Sequence, residues 1–305
     1  MYSEGLPVNK IVEMFRASLG QFYSGNEIIQ FIYTLFAEHL NWPKTRIHLD
    51  PEFIVPSEKA SYFNEALQDL IEKRPIQYII GKSWFNEKEY IVNADVLIPR
   101  PETEELCNLI FLDNSQDQYK DIAVLDIGTG SGCIAIDLKM KFPYAKILAV
   151  DKSPAALRVA RQNAECNSAK VDFMELDILD SGTWGKVSGY DIIVSNPPYI
   201  LESEKEMMDA KVKKYEPASA LYVPDVDPLK FYAAICSFAK KHLNQSGKLY
   251  FEINERFGKE TVALIKEFGF EKVELLTDFF GKDRFIRAVT RTSIRDLSYW
   301  YADKQ

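Results

Sequence analysis

Two short segments carry residue types whose spacing can do chemistry. The first is Val124-Leu125-Asp126-Ile127-Gly128-Thr129-Gly130-Ser131-Gly132, an apolar run entering a G-x-G-x-G turn. Glycines let the backbone approach a ligand closely, and an open α/β sheet holds its ligand just beyond the C-terminal ends of its strands. A dinucleotide fingerprint requires G-x-G-x-x-G, but Cys133 stands where its third glycine belongs; a hydrolase elbow requires a central Ser, and the centre here is Gly130. Asp126 at that mouth opposes a pyrophosphate and suits a cationic amino acid. A second apolar run ends in Asp151, whose carboxylate can accept from both ribose hydroxyls and would repel a 2′-phosphate. Adenosine joined to a cationic amino acid describes S-adenosylmethionine. The competing structural reading is an ordinary strand-to-helix turn, with Asp151-Lys152-Ser153-Pro154 as a helix N-cap.

The second segment is Ser195-Asn196-Pro197-Pro198-Tyr199. Consecutive prolines stiffen the backbone and remove two N–H donors, leaving carbonyls free to accept. Asn196 Oδ1 and the Pro197 carbonyl can each take one proton of a planar NH2 group, and Tyr199 offers an aromatic face for stacking. Such a nitrogen is a poor nucleophile because its lone pair is delocalised. Two fixed acceptors favour the charge that develops as it attacks a sulfonium methyl, without a strong base. The structural alternative is a plain strand exit. The three histidines, His39, His48 and His242, are scattered and form no metal triad, so no metal is expected.

These segments need a sheet to hold them. Candidate strands are Ile122–Ile127, Lys146–Asp151, Val171–Glu175, Asp191–Ser195, Lys248–Ile253, Lys272–Leu276 and Arg284–Val289, with helices near Cys133–Lys141, Pro154–Asn167, Leu229–Leu243 and Lys259–Phe268. Alternation of strand and helix with continuously apolar strands predicts a largely parallel sheet covered on both faces. The second segment then lies beside the glycine turn, at the sheet's switch point. Before Gln77 the periodicity is helical: Ile11, Met14, Phe15 and Leu19; Ile28, Ile29, Ile32, Leu35 and Phe36; Phe63, Ala66, Leu67, Leu70 and Ile71. Ser24, with Glu27 three residues on, and Ser57 are the expected N-caps of this small bundle. Between bundle and sheet, Tyr78–Ile80, Glu89–Val92 and Val96–Ile98 suggest a linking β-hairpin. The expected domains are therefore 1–76, helical; 77–99, hairpin; and 100–305, catalytic.

The chain has 305 residues, 47% hydrophobic and 27% charged, enough to bury a sizeable core. A net charge of −8 argues against a surface built to neutralise phosphates, so no direct nucleic-acid binding is expected. Cys107, Cys133, Cys166 and Cys236 have neither disulfide nor zinc spacing and read as reduced core residues. The N-terminus lacks the apolar block of a signal peptide and no run approaches a membrane span, which predicts a cytoplasmic protein without a membrane partner.

Taken together, these motifs resemble the HemK/PrmC family of release-factor glutamine methyltransferases. The likeness includes Pro75-Ile76-Gln77-Tyr78-Ile79-Ile80-Gly81, the block Leu97-Ile98-Pro99-Arg100-Pro101-Glu102-Thr103-Glu104, Tyr215-Glu216-Pro217 with Ala220-Leu221, and Gly281-Lys282-Asp283-Arg284. The resemblance implies a seven-stranded, mostly parallel Rossmann-like methyltransferase sheet with its last strand antiparallel. It also implies a helical domain that docks a peptide-chain release factor and the glutamine of a Gly-Gly-Gln loop as substrate; the chain is expected to be a monomer. Carried over by position, Gly128, Thr129, Gly130, Ser131 and Gly132 contact the cofactor's amino-acid end, Asp151 its ribose, and Asp177 with Ile178 its adenine. Asn196, Pro197, Pro198 and Tyr199 hold the amide, with Asn196 also next to the cofactor. The Pro99–Thr103 block, with Arg100, Glu102 and Thr103, closes over the cofactor; an interdomain salt bridge through Arg100 and Glu102 is the structural alternative. The chain departs from the family at Asp225-Val226-Asp227-Pro228 and in its tail, Arg291 to Gln305. Asn-Pro-Pro-Tyr is shared with enzymes that methylate exocyclic amines of adenine or guanine, which is the alternative activity. A non-catalytic S-adenosylmethionine-binding protein would show a damaged turn or a damaged Asn-Pro-Pro-Tyr, and both are intact here.

Overall fold

The structure is a computed structural model in which residues 5–185, 189–207 and 210–290 are described; the departing tail, Arg291 to Gln305, lies outside the described residues. Its residues fall into two compact units. Of the described residues, one unit holds 5–82 with Ala210–Tyr215, and the other holds 83–185, 189–207 and 216–290.

The first unit is a helical bundle with a small β-bridge: β1 (Leu6–Pro7), α1 (Val8–Leu19), α2 (Gly25–Leu40), α3 (Lys44–Leu49), β2 (Ile54–Val55), α4 (Ser57–Ile71) and α5 (Ile76–Ile80). Ile11, Phe15, Leu19, Ile32, Phe36, Phe63 and Leu70, the positions given by the helical period, form its buried core. At Ser24 the capping box is complete: its hydroxyl accepts from the Glu27 N–H at 3.3 Å and its own N–H donates to the Glu27 carboxylate at 2.9 Å. Two expectations are corrected. Ser57 is the first helical residue rather than the cap, because Pro56, fixed at φ −55°, holds the cap position. Tyr78–Ile80 is helix, closed by Gly81 in the left-handed region at φ 74°.

The second unit opens with the hairpin, β3 (Lys82–Phe85) against β4 (Lys88–Ile91). Val96–Ile98, expected as a strand, is an irregular segment. There follow α6 (Pro101–Asp113), β5 (Ala123–Ile127), α7 (Cys133–Lys141), β6 (Lys146–Asp151), α8 (Pro154–Cys166), β7 (Asp172–Glu175) and β8 (Tyr190–Ser195). Beyond β8, short β9 (Ile200–Leu201) pairs in parallel with β10 (Tyr222–Val223), while α9 (Ala210–Tyr215), which belongs to the first unit, and α10 (Ala218–Leu221) of the second lie between them in sequence. The chain continues with α11 (Lys230–His242), β11 (Leu243–Glu252), α12 (Gly258–Glu267), β12 (Glu271–Thr277) and β13 (Asp283–Val289).

Seven strands form one sheet in the order β12-β13-β11-β8-β5-β6-β7, with β13 antiparallel to both neighbours. The sheet predicted from strand–helix alternation is thus present, with its one reversed strand. Helices α6 and α7 bury one face with Leu106, Ile110, Ile134 and Leu138, and α11 with α12 bury the other with Tyr232, Ile235, Phe238 and Ile265. Helix α6 was not visible as a helix in the sequence pattern, although Pro101 at its first position and the early acids Glu102 and Glu104 are ordinary start signals. Of the four cysteines, Cys107, Cys133 and Cys236 are buried as expected, whereas Cys166 is exposed at the end of α8.

One buried side chain links the hairpin to the glycine turn. Asn163 of α8 accepts from the Ile91 N–H at 2.6 Å and donates to the carbonyls of Ile91 at 3.0 Å and Ser131 at 2.9 Å. Truncation would leave buried backbone groups unpaired, each costing about 1–3 kcal/mol. Asn163→Ala should lower the melting midpoint in calorimetry by roughly 6 °C or more. An unchanged midpoint would show that the hairpin and turn are held by other contacts.

Candidate active site

Strands β5 and β8 are parallel neighbours, paired from Val124↔Ile192 to Ile127↔Ser195. The chain turns outward from β5 through β6 to β7 and then returns to β8, so the loops after β5 and β8 part on either side of a switch point. There Ser195 Oγ donates to the Ile127 carbonyl at 2.7 Å, tying the two strand ends together.

The loop after β5 curls back on itself. Gly128 and Thr129 donate to the Val150 carbonyl at 2.8 and 3.0 Å, and Gly132 donates to Thr129 O at 2.8 Å. Gly128 and Gly130 sit at φ 77° and 53°, where side chains are strained, and a Cβ on either would project into open space. Gly132, at φ 84°, serves packing instead, because a Cβ there would meet Ala160 at 3.2 Å; its absence lets α7 approach α8. Asp151 joins the two sides of the site, accepting from the Gly130 N–H and the Ser153 N–H, both at 2.9 Å. The cap of α8 is Ser153, whose hydroxyl accepts from Ala156 N at 3.2 Å. Burial pushes the Asp151 carboxyl up, against these two donors.

An open cleft with about 800 Å³ of void, counting its mouth, lies over these strand ends, within the range of small-molecule sites. Among the residues predicted to form the site, Gly128, Gly130, Asp151, Asp177, Ile178, Asn196, Pro197 and Pro198 line it. Asp126, Thr129, Ser131 and Gly132 stand behind the lining. Asp126, expected at the mouth, is 0% exposed. Its Oδ2 accepts from Thr129 Oγ1 at 2.6 Å, while its Oδ1 has no hydrogen-bond partner among the described residues. Burial pushes its carboxyl to about 7; the Thr129 hydroxyl and Ala135 N–H oppose the rise and Asp151 adds to it. Sequence reasoning missed the apolar wall, Val96 and Leu97 from the irregular segment and Ala156, Phe231 and Ile235 from α8 and α11, since such residues carry no motif.

Arg100, Glu102, Thr103 and Tyr199 do not line the cleft. Arg100 pairs with Glu216 of the same unit at 2.5 Å, and Glu216 also accepts from the Ile98 N–H at 3.3 Å, so Glu216 anchors the Ile98–Arg100 stretch. Thr103 Oγ1 donates to Glu252 Oε2 at 2.7 Å, and Tyr199 OH donates to Glu252 Oε1 at 3.2 Å. Asn196 Nδ2 donates to Thr103 Oγ1 at 3.2 Å, and no donor among the described residues meets its Oδ1. Glu252, at the end of β11, was not singled out by any spacing. Asp225, in the departing loop, accepts from both the N–H and hydroxyl of Ser203, pinning the segment that follows Tyr199. Among the described residues no group of His, Cys, Asp and Glu could hold a metal ion, and no helix is long and apolar enough to cross a membrane.

A sheet with one reversed strand, carrying a glycine turn and Asn-Pro-Pro-Tyr at its switch point, belongs to the Rossmann-like methyltransferases. Comparison with known proteins agrees and goes further: residues 108–214 match the methyltransferase small domain, and residues 11–81 match the PrmC N-terminal domain. The release factor glutamine methyltransferase of Flavobacterium psychrophilum is 39% identical over 90% of this chain and 95% of its own length. That of Bacteroides thetaiotaomicron is 40% identical over 92% and 99%, and that of Lactococcus lactis 41% identical over 76% and 83%. The chain belongs to the release factor glutamine methyltransferase family.

The unpartnered Asp126 oxygen has a measurable signature. A carboxylate raised from 3.8 to about 7 by folding stabilises the protein below the lower value and loses that contribution as the pH rises through the upper one. The ligand-free Asp126→Asn variant should therefore melt above the parent at pH 8, the two converging as the pH falls to about 4. A parent at least as stable at pH 8 would show that the carboxylate is already satisfied.

Proposed function

We infer that this chain transfers a methyl group from S-adenosylmethionine to the side-chain amide nitrogen of the glutamine in the Gly-Gly-Gln motif of peptide-chain release factors. Family membership supports the reaction, and one observation carries the mechanism: Asn196 Oδ1 and the Pro197 carbonyl, both at the cleft, have no donor among the described residues. A glutamine NH2 has two protons to give. Accepting both orients the nitrogen and favours the positive charge it gains, a contribution fixed before reaction.

The residues present fit the donor. Gly128 and Gly130 leave room for the amino-acid end, and the orphan Asp126 oxygen behind them suits its ammonium. Asp151 keeps lone pairs on both carboxylate oxygens for ribose hydroxyls, and Asp177 with Ile178 gives the adenine one polar and one apolar neighbour. When bound, S-adenosylmethionine supplies a methyl group activated by its sulfonium. The apolar wall keeps water from the reacting nitrogen.

Among the described residues the helical unit contributes none to the lining of this cleft. We assign it affinity for the release factor, binding energy that holds a large substrate while the sheet unit does the chemistry. Cleft and amide acceptors come from one copy, so a monomer suffices, acting where release factors work, in the cytoplasm.

The direct test is incubation with a release factor, a pool of tRNA and ribosomal RNA, and S-adenosylmethionine carrying a labelled methyl. The label should appear on the Gly-Gly-Gln peptide by tandem mass spectrometry and vanish when that glutamine is replaced by glutamate. Label on nucleic acid with none on the factor would overturn the reading in favour of a base amine methyltransferase.

A further inference from the structure

An asparagine amide can face its site either way round, and only one way is useful. With Oδ1 towards the cleft, Asn196 accepts from a substrate NH2; with Nδ2 there, two donors confront each other. The contacts behind Asn196 decide between them. Glu252 is 1% exposed, and an ionised carboxylate only accepts. The 2.7 Å contact between Thr103 Oγ1 and Glu252 Oε2 therefore uses the one hydroxyl proton of Thr103. Having given it away, the Thr103 oxygen can only accept from Asn196, 3.2 Å distant, and the group able to donate is Nδ2. Oδ1 is left facing the substrate. The other carboxylate oxygen accepts from Tyr199 OH at 3.2 Å, so one buried group orients both ends of Asn-Pro-Pro-Tyr.

We propose that Glu252, acting through the Thr103 hydroxyl, is the positioning residue that locks the Asn196 amide with its oxygen towards the substrate nitrogen. The proposal rests on the reading that Asn196 receives a substrate NH2. Neither Glu252 nor Thr103 lines the cleft, so both act through Asn196.

The lock depends on charge. Groups facing Glu252 come from every element around it: Thr103 and Glu102 from α6, Tyr199 after β8, Arg284 from β13, and Tyr232 from α11, whose hydroxyl donates to the Glu252 carbonyl at 3.2 Å. Burial pushes the carboxyl to about 6; Thr103, Tyr199 and Arg284 hold it down and Glu102 pushes it up. Once protonated, Glu252 can donate to Thr103 Oγ1. The Thr103 proton is then free to point at Asn196, and either amide orientation is allowed.

Turnover on the release factor and an activity-independent readout test this together. The parent kcat should fall below a pH of about 6, and in Glu252→Gln that acid limb should be absent. Thr103→Val should lower kcat by about 10²-fold with KM and cofactor affinity little changed, the loss expected of a misplaced reacting group, while Thr103→Ser, which keeps the hydroxyl, should restore it to within about threefold. The side-chain amide resonance of Asn196, identified by its loss in Asn196→Asp, should titrate in the cofactor-free parent with a midpoint of about 6 and not titrate in Glu252→Gln. A persistent acid limb in Glu252→Gln, near-parental turnover of Thr103→Val, or an amide signal indifferent to Glu252 would each overturn the lock. Should the parent fail to methylate any release factor, the proposed function fails, and the amide titration still decides the lock by itself.

Discussion

The arrangement depends on the parallel pairing of β5 and β8. Their register sets Ile127 opposite Ser195, and the Ser195 hydroxyl bonded to the Ile127 carbonyl clamps the two strand ends just where their loops separate. Everything reactive follows from that juxtaposition. One residue beyond Ile127 the glycine turn opens the floor of the cleft, and one residue beyond Ser195 comes Asn196. A slip by one residue would turn both loops and exchange the two faces of a strand, breaking the bonds of Asp126 to Thr129 and of Ser195 to Ile127.

Buried carboxylates gather at this end of the sheet. Asp126, Asp151 and Glu252 all stand at or near the C-terminal ends of parallel strands, and burial raises all three. Their satisfaction differs. Glu252 accepts from two side-chain hydroxyls and Asp151 from two backbone N–H groups, whereas Asp126 has one oxygen without a partner. Burying an anion without full compensation costs stability. The sequence places Asp126 at the mouth of the cleft, whereas the fold buries it beneath the glycine turn.

Much of this was legible beforehand, for reasons that particular residues make clear. The glycine turn and Asn-Pro-Pro-Tyr were visible because their chemistry is local: a few adjacent residues fix both the backbone and the function. Helix α7 runs from Cys133 to Lys141 as predicted, since the glycine turn marks its start. Tyr78–Ile80 was misread because consecutive apolar residues fit a buried strand as well as one helical turn, and only the left-handed Gly81 resolves them. Glu252 escaped notice for the opposite reason. Its partner Thr103 lies 149 residues away, and no spacing predicts a contact that the folded sheet alone creates. The Asp225 loop carries no motif yet has a definite role in the fold, holding Ser203 in the segment after Tyr199.

The central claim is that Asn196 acts on the substrate amide rather than merely shaping the exit of β8. Turnover of purified Asn196→Ala on a release factor, measured beside its affinity for S-adenosylmethionine, tests it most directly. The account predicts a kcat lower by about 10² to 10³, the usual loss of one preorganised polar contact, with cofactor affinity almost unchanged and Asn196→Asp retaining more activity than the alanine variant. Turnover within threefold of the parent in a protein that has only lost melting temperature would contradict it.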